Sequence, residues 1–218
     1  MIDVKQEELL NEALKLVEEA KKKGLVLKIM GAIAIRIHCP SFCQILTKLG
    51  RSLSDIDFAA YSNQASDVLK FLKDFGYQED VRHAFVRADR IMLTNSKTGI
   101  RVDVFFDKLD MCHRIDFKDR LDIDHPTVPL SEILLEKMQI VKIAEKDIKD
   151  ALVLLREHEI GETDDEKINS AYIAKLLSDD WGFYHTVTTN LKRIRDEFLT
   201  FLPTKASQVG GPQAGHIT

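Results

Sequence analysis

Three aspartates in two short apolar segments are the residues of this 218-residue chain whose types and spacing could do chemistry. Asp55 and Asp57 form an Asp-x-Asp pair in a segment with the composition of a β-strand. Because side chains alternate along a strand, both carboxylates point to one face, while Ile56 between them points to the other. Two carboxylates about 7 Å apart along a strand can share two metal ions that lie about 3.5–4 Å apart. The pair therefore indicates a divalent-metal site.

The third carboxylate, Asp103, interrupts the apolar run Ile100–Phe106 and points away from the valines on either side of it. A lone carboxylate in so apolar a strand is costly to bury unless it is paired or bound to a metal ion. Together with Asp55 and Asp57, it predicts three oxygen ligands for one site. The alternative is structural, because Asp-x-Asp pairs are also common on solvated strand faces and in turns.

The periodicity of apolar residues places these aspartates in a defined order of elements. An amphipathic helix ends at a lysine run followed by Gly24, and a strand then leads into Gly31. A helix, the Asp-x-Asp strand, a second helix and a group of strands with a hairpin turn at 95–99 come next. The predicted helices are 7–23, 32–37 and 66–75, and the predicted strands are 25–30, 54–61, 83–86, 90–94 and 100–106.

The chain becomes helical in character after Phe106. A loop punctuated by two prolines leads into helical periodicity, and we expect Trp181, Phe183 and Tyr184 to anchor the last helices in the core. The predicted helices here are 132–158, 166–177 and 183–201.

These elements predict an α+β fold: a mixed, mainly antiparallel sheet backed by helices, with a helical C-terminal part that closes over a cleft. The solvent-facing side of the sheet would carry the three aspartates. We expect an α/β core over residues 1–125 and a helical region over 126–202. Residues 203–218 contain almost no core material, which predicts a disordered tail.

Composition excludes several classes of protein. Hydrophobic residues make up 44% of the chain and charged residues 30%, which is enough for a core. No apolar run approaches the roughly 20 residues that span a bilayer, and the charged start does not resemble a signal peptide. We therefore expect a cytoplasmic protein with no membrane partner.

The formal charge of the chain is −4, so a nucleic-acid partner would need a local basic patch. Lys192–Arg195 is the candidate for such a patch. An ordinary solvated helix face is the simpler interpretation of these residues.

Soft metal ligands occur at His38, Cys39, Cys43, Cys112 and His113. Their spacing matches no compact zinc module, and an odd number of cysteines does not suggest a disulfide framework. We expect free, buried cysteines and hydrogen-bonded histidines instead.

The motifs that carry the three aspartates resemble those of the polymerase-β-type nucleotidyltransferases, and within them most closely the AbiEii-like (abortive-infection toxin) nucleotidyltransferases. That family has a glycine-led turn, an Asp-x-Asp strand preceded by an arginine and a serine, a later apolar strand with one aspartate, and a helical lysine followed by a Lys-Asp-x-x-Asp element. The matching segments here are Met30–Ala34, Arg51–Phe58, Ile100–Phe105, Glu136–Met138 and Lys146–Asp150.

The resemblance implies a role for each matching residue. Asp55 and Asp57 would hold two Mg²⁺ ions on the phosphates of an NTP, and Asp103 would complete one metal shell and help to activate an acceptor hydroxyl. Gly31 would let backbone amides approach the triphosphate. The resemblance also places Ala32, Ser54 and Lys137 in the nucleotide site, with Lys137 as a point charge on a phosphate, and leaves Asp147 and Asp150 to order Lys137 or its helix.

The turn departs from the family pattern, because Gly31 is followed by Ala32 where Gly-Gly or Gly-Ser is usual. Loss of the serine hydroxyl bears on turnover more than on binding, so two hypotheses remain. One is an enzyme that moves a nucleoside monophosphate from an NTP to a hydroxyl of a small molecule, an RNA 3′ end or a protein, as the toxin of a toxin–antitoxin pair or otherwise. The other is a catalytically degenerate nucleotide-binding protein. A metal-dependent phosphohydrolase is a third, weaker alternative.

Overall fold

The computed structural model describes residues 4–42, 46–47, 50–79 and 89–201, with only the backbone at 198–201. In these ranges a five-stranded sheet is accompanied by seven α-helices and two small two-stranded sheets. The predicted α+β class with a mixed, mainly antiparallel sheet is confirmed, because three of the four pairings in the large sheet are antiparallel.

The N-terminal elements follow the predicted order. The predicted strand at 83–86 lies outside the described residues, and a short strand that was not predicted, β3, follows the third helix. The elements are α1 (Val4–Lys22), β1 (Leu27–Met30), α2 (Gly31–His38), β2 (Ile56–Ala60), a 3-10 turn (Ser62–Gln64), α3 (Ala65–Asp74), β3 (Tyr77–Glu79), β4 (Arg90–Asn95) and β5 (Arg101–Phe106).

The strand order of the large sheet is β1-β2-β5-β4-β3, with β2 and β5 as its parallel pair. The predicted hairpin turn joins β4 to β5, where the Asn95 side chain accepts hydrogen bonds from the N–H groups of Lys97 and Thr98. Such an Asx-type turn holds the two strands in register. The hairpin therefore fixes which β4 residue lies beside Asp103.

One face of the central strands forms the core. Ile56 and Phe58 of β2 and Val104 of β5 are fully buried, as the alternation of apolar residues predicts. The helix α1 packs against β1, and α3 packs against β3. The aspartates lie on the other face, but Asp103 is 92% buried, so the predicted solvent-facing position is wrong for that residue.

The C-terminal part is divided more finely than the sequence predicts. The single helix expected at 132–158 is wrong: it is broken after Met138, where the Asn190 side chain donates hydrogen bonds of 2.9 Å to the carbonyls of Met138 and Ile140. These carbonyls are thus satisfied by a distant helix instead of further helical turns. The elements are β6 (Lys108–Asp110), β7 (Arg114–Asp116), α4 (Leu130–Met138), α5 (Glu145–Glu157), β8 (Ile160–Gly161), β9 (Ile168–Asn169), α6 (Ser170–Ser178) and α7 (Trp181–Phe201).

The aromatic residues at the start of α7 are not all core residues. Phe183 is buried as predicted, but Trp181 is 76% exposed and Tyr184 is 51% exposed, so the expectation that they anchor the core is wrong. The buried face of α7 contains Phe183, Val187 and Ile194; Trp181 falls on the opposite side of the helix, and Tyr184 falls on the flank between the two faces.

The helical part and the sheet are joined by backbone hydrogen bonds. The Ile29 N–H donates to the Pro126 carbonyl and the Val128 N–H donates to the Ile29 carbonyl. The donor–acceptor distance is 3.0 Å in both hydrogen bonds. The division between residues 125 and 126 stays a prediction, and the tail at 203–218 lies outside the described residues. Among the helices of the described ranges, none combines the length and the apolar composition that crossing a bilayer requires.

The free cysteines differ in burial. Cys39 is buried as expected, whereas Cys112 is exposed in the turn between β6 and β7, so the prediction is wrong there. The histidines beside them are hydrogen-bonded, His38 to Thr127 over 2.6 Å and His113 to Thr186 over 2.8 Å. Cys43 lies outside the described residues.

Candidate active site

Two of the predicted site residues face each other across the centre of the sheet. In the parallel register of β2 and β5, Asp57 lies directly opposite Asp103. Asp55 lies one residue before β2 begins, so it projects from the end of the strand. The structure thus brings the three carboxylates together toward the N-terminal ends of the paired strands β2 and β5.

The neighbouring carboxylates contribute to a raised pKa at Asp57. Burial, followed by repulsion from Asp55 and Asp103, raises its pKa from 3.8 to about 7. Lys137 and Arg90 act in the opposite direction and offset only part of this rise. A charged Asp57 therefore costs free energy in the ligand-free fold, and a nearby cation would remove that cost.

Arg90 is the partner of Asp103. Its Nε donates to Asp103 Oδ1 over 2.8 Å and its Nη2 donates to Asp103 Oδ2, so the guanidinium engages both carboxylate oxygens. The same guanidinium lies 4.7 Å from the centre of the Phe105 ring. Such a two-pronged pair explains how Asp103 can be buried in an apolar strand.

The turn at Gly31 touches the site directly. Its φ is +68°, and a Cβ at this position would lie 2.6 Å from Asp57 Oδ2. Glycine is therefore required by the close approach of Asp57 as well as by the backbone conformation. The Gly31 N–H donates to Glu136 Oε2 over 2.8 Å, so the amide expected at a phosphate is bonded to a carboxylate here.

Glu136 on α4 is a buried acid next to this turn. Burial, only partly offset by the charge of Lys137 and the hydrogen bond from Gly31, raises its pKa to about 8. Within the described ranges, its Oε1 is the buried side-chain oxygen or nitrogen atom that has no hydrogen-bond partner. A carboxyl group that keeps its proton at neutral pH is consistent with this isolation.

Lys137 is held in an ion-pair cluster behind the aspartates. Its Nζ lies 3.2 Å from Asp150 and 3.6 Å from Asp147. Asp150 also accepts two hydrogen bonds from Arg51, over 3.0 and 2.8 Å. Burial alone would lower the pKa of Lys137, but Asp150 and Asp147 outweigh it and raise that pKa. The two acids thus order Lys137, while its contact with a phosphate stays a prediction.

The remaining predicted residues are Ser54, which contacts Asp55, and Ala32, which lies in the Gly31 turn. The Ser54 hydroxyl donates to Asp55 Oδ1 over 2.7 Å, and Arg101 Nη2 lies 3.5 Å from Asp55 Oδ2. Ala32, half-buried at the start of α2, follows Gly31 directly. The roles of Ser54 and Ala32 toward a nucleotide stay predictions.

The donor set has the chemistry of a magnesium site. Three carboxylates supply the hard oxygen ligands that Mg²⁺ prefers, and the mutual repulsion at Asp57 is the condition that a divalent cation relieves. In the described ranges no group of three His, Cys, Asp or Glu side chains is already arranged around a metal position. Both oxygens of Asp103 accept hydrogen bonds from the Arg90 guanidinium.

Sequence reasoning missed Arg90 and gave no role to Glu136 or Arg51. Arg90 opens β4, and only the hairpin register places it beside β5. The signal available beforehand was Asp103 itself, because a carboxylate buried in an apolar strand requires a cationic partner or a metal ion.

We predict that Gly31→Ala destabilises the fold more than Gly24→Ala. Gly24 has a similar φ of +73° but open space around its Cβ position, so its substitution adds only backbone strain, about 1–2 kcal/mol. At Gly31 the clash with Asp57 adds roughly 1–3 kcal/mol. Urea unfolding at equal pH measures both, and equal losses would contradict the close contact with Asp57.

We predict that Asp57→Asn stabilises the metal-free fold at high pH. Because the folded-state pKa of Asp57 is raised to about 7, the folded protein binds this proton more tightly than the unfolded chain does. The wild type therefore loses stability as pH rises from about 4 to about 7, and the amide variant avoids that loss, roughly 2–4 kcal/mol.

Urea unfolding in EDTA at pH 4.5 and pH 8 measures this difference. Asp116→Asn, at a half-exposed residue paired with Arg114, is the matched control, because it makes the same exchange of side chains outside the carboxylate cluster. An Asp57→Asn effect of the same size at pH 4.5 and pH 8 would rule out a raised pKa at Asp57.

Comparison with known proteins finds similarity in structure alone. No protein-family model matches the sequence, and no curated protein matches it. The solved antibiotic-resistance factor ANT(2'')-Ia is 12% identical, with a TM-score of 0.50 over 83% of this chain and 99% of that one. An antigenic nucleotidyltransferase-like protein from Paracoccidioides brasiliensis is also 12% identical, with a TM-score of 0.44 over 84% of this chain and 93% of that one. With its mixed sheet and its helices, this chain has the nucleotidyltransferase fold.

Proposed function

We propose that this chain is a Mg²⁺-dependent nucleotidyltransferase that moves a nucleoside monophosphate from an NTP to a hydroxyl group. The observation that carries the proposal is the direct opposition of Asp57 and Asp103 on adjacent parallel strands, with Asp55 at the strand end. Three carboxylates this close together on the inner strands of the sheet repel one another, and this repulsion adds to burial in raising the pKa of Asp57.

In the reaction, the acceptor oxygen forms a bond to the α-phosphorus of the NTP, and the bond from that phosphorus to the leaving oxygen breaks. Pyrophosphate departs, and the proton of the hydroxyl passes to a base, for which Asp103 is the candidate. Asp55, Asp57 and Asp103 would hold magnesium, which when bound supplies positive charge to the attacking and leaving oxygens. Lys137, fixed by Asp147 and Asp150, would add a further positive charge for the phosphates.

The acceptor is a small molecule, an RNA 3′ end or a protein. ANT(2'')-Ia is an antibiotic-resistance factor, which places small hydroxyl compounds in the first set to test. The overall charge of −4 gives no general attraction for RNA, although a local patch suffices for one strand end.

A degenerate, nucleotide-binding protein is the second candidate. Two observations favour it: Ala32 offers no hydroxyl after the glycine turn, and Arg90 engages Asp103 in the ligand-free chain. Such a protein would bind the metal–nucleotide complex without transferring the nucleotide.

Transfer of label from α-³²P NTPs to pools of the three acceptor classes tests the proposal. The wild type should yield labelled acceptor and release one pyrophosphate per transfer, and Asp57→Asn should lower the rate by at least about a hundredfold. Asp116→Asn, on the β6–β7 hairpin, should retain the rate.

Two other outcomes would overturn this function. No labelled product, together with a Mg²⁺-NTP thermal shift that Asp57→Asn abolishes, would establish the binding-only protein. Release of monophosphate or phosphate without acceptor would instead indicate a phosphohydrolase.

We further propose, from the likeness to AbiEii-like proteins, that the activity is toxic and is neutralised by an antitoxin. Induced expression of the wild type in a bacterial host should then slow growth, and expression of Asp57→Asn at the same level should not. Equal growth of both cultures, with soluble protein in each, would reject the toxin role and leave the transfer assay unaffected.

A further inference from the structure

Arg90 is paired with Asp103, which is one of the three ligands of the proposed metal site. Both Asp103 oxygens accept hydrogen bonds from Arg90, and only 12% of the Asp103 side chain is exposed. A divalent cation binds through the lone pairs of carboxylate oxygens. The guanidinium therefore takes up one lone pair on each Asp103 oxygen, and its positive charge lies where a cation would have to approach.

Arg90 is held beside Asp103 by its place in the sheet and by its contact with an aromatic ring. It lies opposite Phe105 in the antiparallel register of β4 and β5, and its guanidinium stacks over the Phe105 ring. An arginine side chain stays protonated throughout the pH range of proteins, so the charge of Arg90 is permanent. It thereby supplies part of the positive charge that the three clustered carboxylates require.

The Arg90 side chain is exposed enough to solvent to move away from Asp103. Its side chain is 31% exposed, in contrast to Arg51, which is 11% exposed and bonded to the buried Asp150. A guanidinium has a planar fork that fits a phosphate as well as a carboxylate. The triphosphate of a bound nucleotide would offer Arg90 an equivalent anionic partner.

We propose that Arg90 is a positioning residue that blocks free divalent cations from Asp103 and releases Asp103 when a nucleotide's phosphates take its guanidinium. The cation and the nucleotide then bind together, and each strengthens the other. This inference rests on the proposed function, since it requires a nucleotide at the same carboxylates.

The simpler interpretation is a permanent ion pair that only stabilises the sheet. It predicts that removing Arg90 leaves a buried, uncompensated carboxylate and weakens the fold without any gain in metal binding. Coupling between metal and nucleotide separates the two interpretations, because a purely structural pair would not affect it.

Binding of Mn²⁺, followed by electron paramagnetic resonance, provides the test. The dissociation constant is measured with and without the α,β-methylene analogues of the four NTPs, on the wild type, Arg90→Met, Arg90→Lys and Arg101→Met. Arg101→Met is the matched control, because it removes the same charge from Asp55, where the contact is single, longer and exposed. Arg90→Lys keeps the charge but loses the fork.

For Arg90→Met we expect free Mn²⁺ to bind at least about tenfold more tightly than in the wild type, and the strengthening by nucleotide to shrink by a similar factor. Arg90→Lys should be intermediate and Arg101→Met should change binding less than about threefold. If Arg90→Met fails to fold, the intermediate behaviour of Arg90→Lys carries the same test.

Two results would overturn the inference in distinguishable ways. Nucleotide-dependent Mn²⁺ binding in the wild type, with no greater free-Mn²⁺ affinity in the Arg90 variants than in Arg101→Met, would reject the role of Arg90 alone. Absence of Mn²⁺ binding in every protein, with and without analogue, would reject the proposed function as well.

Discussion

The parallel pairing of β2 with β5 sets the central constraint of this molecule, because its register places Asp57 opposite Asp103 in the middle of the sheet. Two carboxylates in this position, with a third just beyond the strand end, cannot all be charged without compensation. The neighbourhood responds in two ways: Asp57 is shifted toward its neutral form, and Asp103 is paired with Arg90. Much of the polar structure around the sheet follows from this arrangement.

The compensation also ties the C-terminal helices to the sheet. Lys137 on α4 lowers the cost of charging Asp57, and is itself held by Asp147 and Asp150 on α5. Asp150 is in turn bonded to Arg51, in the segment that leads into the Asp-x-Asp strand. One network of buried charge therefore connects three segments that are distant in the sequence. Its members depend on one another, since removing one partner leaves the others unpaired.

The sequence predicted those features that depend on the alternation of side chains along a strand or on the residues of a turn. The face of β2 that carries the aspartates, the hairpin at 95–99 and the order of the first elements all follow from short-range rules. The break after Met138 depends on Asn190, some fifty residues later, and the position of Arg90 depends on strand register. Neither could be read from local periodicity, because both are set by tertiary contacts. The exposed Trp181 was missed because aromatic character alone does not fix which side of a helix faces inward.

The turn at Gly31 lies against two acids whose pKa values are raised. The turn brings a backbone amide within 2.8 Å of Glu136, an acid whose pKa is raised to about 8, and presses against Asp57, whose pKa is raised to about 7. Both acids make the ligand-free fold less stable at neutral pH than apolar or amide side chains would. A cation that binds Asp57 would recover part of that free energy on binding, which is how a destabilised site gains affinity for its ligand. The same cost would be without benefit in a purely structural sheet, and this asymmetry is the physical argument behind the proposed metal site.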